Sequence, residues 1–366
     1  MSGASARGGR HAGRPGVLLT GAGKRYDIVS CFAALTHTVA ADPSPLAPAQ
    51  YAAHARAAVP RMDDAEYVPA LQDVCERHGI GVVLPLTDLD IEILGRALEE
   101  RRLPAMVPAA AVARATYDKY EAHLLLRGHG LPSPPTVLPQ DADFDALDYP
   151  VMVKPRRGSG ARSIHVAHDA RQARVFVDYV QNARVASRPL GLPAPEPVMI
   201  QRAMGGAELS IDCLGDRDGR CLNAIPRTML ESRGGESIKG QVVRDEELIE
   251  LGRRVVEALR IAGPATVQVF RDPEIGVAIT DVNTRFGGAF PAPMYAALRG
   301  RTYPELIVRM AAGEHVQPHV GEFREGMAFT RYYWQLELAS SPEGDGGSEA
   351  ARRERLRPTG REIVPG

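Results

Sequence analysis

A chain of 366 residues with 44% hydrophobic and 24% charged side chains has ordinary globular composition and the length for two or three domains. A formal net charge of −1 gives no long-range field to attract nucleic acid, and no aromatic-interleaved basic strip is present, so nucleic acid is excluded as a partner. No apolar run approaches membrane-spanning length and the small, basic first fifteen residues lack the apolar core of a signal peptide, so no membrane partner and a cytoplasmic location are expected. Four cysteines fit a reducing compartment; Cys213 and Cys221 face each other across a hairpin or, as the stronger expectation, stay buried free thiols.

Residues 1–15 read as a tail. From 16 to 112, strand-like runs alternate with helical ones: a strand at 17–20, a helix over 28–40, a helix over 68–78 and a strand at 81–84. This alternation predicts a small parallel α/β domain. Gly21 and Gly23 follow the first strand with Asp42 downstream, as in a dinucleotide site, but the third glycine position is taken by bulkier residues near Asp27. That turn is expected to serve packing. Asp88 and Asp90 lie just past the strand ending at Leu84, where they either face an acceptor substrate or begin a helix after Thr87.

A helical stretch over 113–130 runs into LPSPP at 131–135, which cannot be helix interior, so a second segment spans 113–197. Within it, YPVMVKP at 149–155 and SIHV at 163–166 predict a hairpin closed by a loop containing Gly158, Ser159 and Gly160. Lys154 stands immediately before that loop, so its ammonium and the loop amides can approach one anion. A β-rich block begins at 198 and runs to Asn283, broken by a helix over 246–260; the third segment spans 198–338, and the polar 339–366 reads as a disordered tail.

The most informative stretch is TDVNTRFGG at 280–288. Alternate side chains of a strand share a face, so Asp281, Asn283 and Arg285 point one way and Val282 the other. The strand-like ATVQVF at 265–270 and the turn-rich RDPEIG at 271–276 make a hairpin that sets Gln268 opposite Ile279 or Asp281. Either register puts Gln268 on the Asp281 face, collecting oxygen ligands suited to a hard divalent cation beside a guanidinium suited to phosphate or carboxylate. Lysine is scarce: only Lys24, Lys119, Lys154 and Lys239 occur, leaving 40 of the 44 basic residues as arginine, so each lysine is a candidate for a specific task.

Taken together, DK at 118–119, VKP at 153–155 with its glycine loop, VMIQ at 198–201, GAELSID at 206–212, GGESIK at 234–239, Gln268 and DVNTRFGG at 281–288 resemble the ATP-grasp superfamily. Within it, the chain is similar to one half of the carbamoyl-phosphate synthetase large subunit and to the lysine ligase of pyrrolysine biosynthesis. The resemblance implies an α/β (α+β) fold, with an N-terminal parallel α/β pre-ATP-grasp domain followed by a two-lobed ATP-grasp fold. It implies ATP with Mg²⁺ as cofactors, two ions with Mn²⁺ as an alternative. Lys119 and Lys154 would hold the phosphates beneath the Gly158, Ser159, Gly160 loop. The backbone at Gln201, Arg202 and Ala203 would take the adenine edge, and Glu208 the ribose. Gln268, Asp281 and Asn283 would bind metal, Arg285 would stabilise the transferred phosphoryl group, and Arg233 would contact phosphate. Asp281 stands where glutamate is usual in the family, and Gln201 where an acidic residue is common.

The implied activity is a carboxylate–amine ligase forming an amide or peptide bond through an acyl phosphate, with small carboxylate and amine or amino-acid substrates and a homodimer by analogy. Alternatives are a carbamoyl-phosphate-synthetase-like kinase of a small carboxylate or carbamate, and a catalytically silent nucleotide-binding module. An acyl phosphate would hydrolyse if wet, and the glycine- and charge-rich 229–243 is the candidate lid.

Overall fold

The computed structural model describes residues 13–158, 163–183, 197–233, 236–288, 292–332 and 335–336. Met1–Arg331 make up one compact unit and Tyr332–Gly366 a second, and every element below belongs to the first.

The first part is built from β1 (Gly16–Thr20), α1 (Tyr26–Ala33), β2 (Thr38–Asp42), β3 (Ala55–Ala58), α2 (Tyr67–His78), β4 (Ile80–Pro85) and α3 (Ile91–Glu99). Its four strands are parallel in the order β3-β2-β1-β4, the arrangement the alternating pattern predicts. The helix expected over 28–40 is corrected: it ends at Ala33, and 38–42 is a fully buried strand paired with β1. β-Branched Thr38 and Val39 suit that strand, and burial on both faces removes the alternation that would have marked it.

The single helix expected over 113–130 is likewise two helices, α4 (Ala110–Tyr117) and α5 (Lys119–Gly128), broken at the extended residue Asp118. The Asp118 carboxylate accepts from the amides of Tyr120 and Glu121, starting α5 with an N-cap at the residue before Lys119.

Next come β5 (Thr136–Val137), β6 (Val151–Pro155), β7 (His165–Ala167), α6 (Ala170–Ala183) and β8 (Val198–Arg202), with strand order β5-β8-β6-β7. β6 and β7 form the expected antiparallel hairpin, and Val177 and Val180 of α6 join Val151, Val153 and Ile200 in a small core.

The last part contains β9 (Ala207–Gly215), β10 (Cys221–Thr228), β11 (Glu231–Arg233), β12 (Glu236–Gln241), α7 (Glu246–Leu259), β13 (Gly263–Asp272), β14 (Gly276–Asn283), α8 (Ala292–Tyr295), α9 (Tyr303–Ala311) and β15 (Ala328–Thr330). Its main sheet is antiparallel in the order β10-β9-β13-β14. Leu248, Leu251, Val255 and Val256 of α7 cover one face through Leu209, Ile211, Val267, Val269, Ile279 and Val282. The segment expected to be the lid, 229–243, carries β11 and β12, an antiparallel pair that β15 extends to three strands. Cys213 and Cys221 are buried free thiols, with Cys213 opposite Ala224 rather than Cys221.

Candidate active site

The polar face of the main sheet follows from strand register. Gln268 pairs with Asp281 and Thr266 with Asn283, the first of the two expected alignments ruled out and the second observed. A bulge at this point leaves Thr280 as the extra residue between Ile279 and Asp281, keeping Ile279 in the core and Asp281 on the polar side. Across β13, Gln268 meets Ser210, Thr266 meets Asp212 and Phe270 meets Glu208. Directly opposed residues share a face, so Glu208, Gln268, Asp281 and Asn283 lie together on the side away from α7. Burial raises the Glu208 pKa, opposed by the charge of Arg227.

Lys154 is the penultimate residue of β6, with its side chain pointing inward. It is 5% exposed, and its Nζ donates to Gln201 Oε1 at 2.8 Å. Burial pushes its pKa down to about 8, with Asp281 opposing the shift and Lys119 adding to it. The side chain of Gln201 therefore turns back under the sheet, where its Nε2 donates to Thr136 Oγ1 at 2.9 Å. The amides of Arg202 and Ala203 donate to the carbonyls of Pro135 and Pro150. The Arg202 guanidinium is held by Asp148 and Glu274, outside the cleft.

Lys119 is brought to the glycine loop by Asp118. Besides capping α5, Asp118 accepts from Arg156 Nε at 2.8 Å and Arg157 Nε at 3.3 Å; burial acts to raise its pKa, but the bond and charge of Arg156 and two amides together lower it. The Lys119 amide donates to Arg156 O at 2.8 Å and its Nζ to Gly158 O at 2.7 Å. Gly158 has φ +108°, a backbone open to glycine. Ser159 and Gly160 lie outside the described residues, as does the side chain of Arg233, whose backbone ends β11.

A cleft of about 130 Å³ is lined by Asp88, Thr116, Lys119, Gly158, Asp281 and Asn283 among others. Arg285 closes one side: Nη2 donates to Asp88 Oδ2 at 2.7 Å and to Asn283 Oδ1 at 3.2 Å, and Nη1 to Phe286 O at 3.0 Å. The two acids read as a pair thus separate. Asp88 faces the cleft, whereas Asp90 is fully buried in the N-terminal part, accepts from Tyr67 Oη at 2.8 Å, and has its pKa pushed up to about 6 by burial. Asp90 sits at the N-cap of α3 but makes no side-chain capping bond.

Sequence reasoning missed the support beneath this face. Asp212 and Arg227 form a buried ion pair at 2.8 Å, and Thr266 Oγ1 donates to Asp212 Oδ1 at 2.9 Å. Gly287 packs on that network; a Cβ there would come within 2.8 Å of Thr266 Oγ1. Asp212 was visible within the 206–212 motif, but nothing local points from it to Arg227. The turn at 21–25, which holds Gly21 and Gly23, also acts here as packing: Arg25 Nη2 donates to Gly287 O at 2.5 Å, and Gly23 N donates to Asp42 Oδ2 at 2.8 Å.

Among the described residues there is no cluster of three or more His, Cys, Asp or Glu able to cage a metal. One carboxylate with two amide side chains, facing two lysines, instead fits Mg²⁺ shared with phosphate oxygens and water.

A parallel α/β part followed by antiparallel sheets, with Lys119, Asp281 and Asn283 lining one cleft, is the arrangement of a nucleotide-dependent enzyme of the ATP-grasp class. Residues 17–104 match the family model described as PylC-like, N-terminal domain, and residues 194–332 the model described as ATP-grasp in the biosynthetic pathway with Ter operon. D-alanine–D-alanine ligase of Kineococcus radiotolerans is 30% identical over 69% of this chain and 74% of its own. The C-terminal section of the carbamoyl phosphate synthase large chain of Methanopyrus kandleri is 26% identical over 53% of this chain and 39% of its own. The biotin carboxylase domain of Hydrogenobacter thermophilus 2-oxoglutarate carboxylase, solved with MgADP and bicarbonate, superposes with a TM-score of 0.68 at 18% identity, covering 87% of this chain and 74% of that one. The chain belongs to the ATP-grasp superfamily and is an ATP-dependent carboxylate–amine ligase of the ADP-forming, carbon–nitrogen-bond-forming class.

Proposed function

We propose that this ligase activates a small carboxylate as an acyl phosphate and joins it to an amine or amino acid as an amide or peptide bond. The observation that carries the proposal is the convergence of Lys119, Asp281 and Asn283 on one cleft, with Arg285 bonded to Asp88 and Asn283 of its lining and the buried Lys154 near enough to Asp281 and Lys119 to feel their charges. Segment boundaries near 112, 197 and 338 belong to this reading, since they put the two lysines on one lobe and the metal face on the other.

A carboxylate is inert toward amines at neutral pH, so its oxygen first takes the γ-phosphoryl group of ATP and ADP leaves; the amine then attacks the carbonyl carbon and phosphate departs. Lys119 and Lys154 hold the phosphates, Lys119 exchanging Gly158 O for a phosphate oxygen. Gln268, Asp281 and Asn283 would hold Mg²⁺, two ions with Mn²⁺ as an alternative, and the charge supplied there would lower repulsion among phosphate oxygens. Arg285 holds the oxygens of the carboxylate and the transferred phosphoryl group. Glu208 meets the ribose. The adenine edge lies at 201–203, with the Gln201 side chain serving Lys154 rather than the base. The β11–β12 hairpin, with Arg233 near its tip, is the element that shields the acyl phosphate from water. We place the enzyme in the cytoplasm, with a homodimer as its assembly; among the described residues no helix is long and apolar enough to cross a membrane.

Oxygen-18 transfer tests the route. With the carboxylate labelled, one ¹⁸O atom should appear in each phosphate released during amide formation. Unlabelled phosphate with labelled amide would reject the acyl phosphate.

A further inference from the structure

A second cavity, of about 470 Å³, opens where the N-terminal part, α4 and α5 meet the end of α7, and it shares no lining residue with the cleft. Its floor is buried and apolar, made by Met106, Val107, Leu259 and Ala262, and Arg217, Arg260 and His129 stand exposed at its rim. We propose that this cavity binds an amphipathic monoanion, one carboxylate, sulfonate or phosphate on an apolar body, and that the ligand acts on nucleotide binding in the cleft through α3, α4 and α5.

Voids left by ordinary packing are seldom larger than a water molecule, whereas ligand cavities measure about 300–1,000 Å³ and set a few polar groups around an apolar lining. The rim here is preformed. Asp216 ties the turn after β9, its Oδ1 accepting from the amides of Asp218 and Arg220 at 3.0 and 2.9 Å. Gly219 of that turn is pressed onto Arg260, so that a Cβ there would lie 2.5 Å from Arg260 Cα. Arg217 and Arg260 are thereby held on one rim. Arg260 takes φ +49° at the C-cap of α7, a left-handed position that glycine fills without strain, so an arginine side chain is kept there at a conformational cost. Among the described residues neither guanidinium has a hydrogen-bond or ion-pair partner. Burial lowers the Arg217 pKa, and no carboxylate raises it back. Of the two acids on the lining, Glu99 is turned to the start of α4, where it accepts from the Ala110 amide at 2.9 Å, and Asp218 alone stands beside the two guanidiniums. An anion supplies the partner they lack, and an apolar body covers the floor.

The three helices around this cavity also line the cleft. Leu98 of α3, Val112 of α4 and Leu125 of α5 face the cavity, while Ile91, Thr116 and Lys119 of the same helices face the cleft. Thr116 Oγ1 donates to Val112 O at 3.0 Å, tying the two faces of α4 together. A ligand that displaces these helices as rigid bodies therefore moves Lys119, and with it Asp118, which holds Arg156 and Arg157 beside the glycine loop.

The probe is anilinonaphthalene sulfonate, an apolar body with one sulfonate, and its uncharged relative phenylnaphthylamine is the control; both are titrated by fluorescence into the full chain with and without MgADP. One sulfonated dye should bind per chain even with MgADP saturating. Arg217→Gln should weaken it about 10-fold and leave the uncharged dye unaffected. Ala258→Phe, which fills the cavity, should exclude both dyes, and ADP affinity without dye should match wild type in both variants. MgADP should shift the dye Kd by about 5-fold or more, reaching a plateau, and bound dye should shift the ADP Kd by the same factor. Dye binding untouched by both variants, or an ADP Kd unchanged by bound dye, would overturn the inference. So would dye loss that grows without limit as MgADP rises, which places the dye in the cleft, or a dimer that binds no dye and that Ala258→Phe dissociates, which makes a second copy the occupant. None of these readouts needs an acid or an amine, so their failure leaves the ligase reading standing.

Discussion

Replacing Lys154 by methionine should make the nucleotide-free protein more stable at neutral pH while destroying nucleotide binding. Methionine keeps the length of the side chain and removes a buried charge. The depression of the Lys154 pKa from 10.5 to about 8 corresponds to a penalty of about 3 kcal/mol for holding the proton in the folded state. Against this, the variant leaves Gln201 Oε1 without the donor now at 2.8 Å, a loss of about 1–2 kcal/mol. The net gain at pH 7 is then about 1–2 kcal/mol. The sign with pH follows from proton counting. Below pH 8 lysine is charged in both folded and unfolded chains and the penalty is complete; between about 8 and 10.5 the unfolded chain binds more protons, so the wild type gains stability as pH rises. Above that range only the lost hydrogen bond remains, and the variant should be the weaker of the two. Urea titrations at pH 7 and at pH 10.5 on both proteins should show the order reversing, and ADP affinity at pH 7 should fall by roughly 100-fold or more in the variant. A variant less stable than wild type at pH 7, with a difference independent of pH, would refute the assignment of Lys154 as a buried charge kept for phosphate.

The same reasoning applies with opposite sign to Asp90, whose pKa burial raises from 3.8 to about 6. Above pH 6 its charge is a penalty of up to about 3 kcal/mol, so Asp90→Asn, which still accepts from Tyr67, should raise the urea midpoint at pH 7–8 and lose that gain below about pH 4. Asp212→Ala removes the buried carboxylate 2.8 Å from the Arg227 guanidinium and should destabilise by about 3–5 kcal/mol; an effect under about 1 kcal/mol would show that the pair contributes as a solvated one does. Gly287→Ala, with a Cβ 2.8 Å from Thr266 Oγ1, should cost about 1–3 kcal/mol and be partly relieved by Thr266→Ala, which removes that oxygen, a coupling read by a double-mutant cycle.

The parallel N-terminal sheet, the β6–β7 hairpin and the β13–β14 face were readable because alternation and turn residues act locally. Gln268, Asp281 and Asn283 were assigned to one face by strand parity, and the Thr280 bulge preserved that parity by absorbing the odd residue. What local pattern hid were places where burial on both sides or a single cap decided the outcome. The helix expected through Ala40 stopped at Ala33 since β2 is buried on both faces, and Asp118 broke the next helix by capping its second half. The 229–243 segment lacked apolar period because β12 gains its partners from β11 and from the distant β15. Long-range polar pairs carry no local signal at all: Arg227 with Asp212, Arg25 with Gly287, and Arg285 with Asp88 are joined only by the folded chain. The resemblance assigns the backbone at Gln201 to the adenine edge and carries no signal for its side chain, which accepts from Lys154.

The central claim is that the cleft couples ATP cleavage to joining an acid and an amine, with Asn283 among the metal-holding residues. Phosphate release from MgATP, measured across acids with and without amines for wild type and Asn283→Ala, tests it most directly. Release that requires both an acid and an amine in the wild type, and falls by roughly 100-fold or more in a folded Asn283→Ala variant, is the predicted result. Release indifferent to acid and amine, or undiminished in that variant, would contradict it.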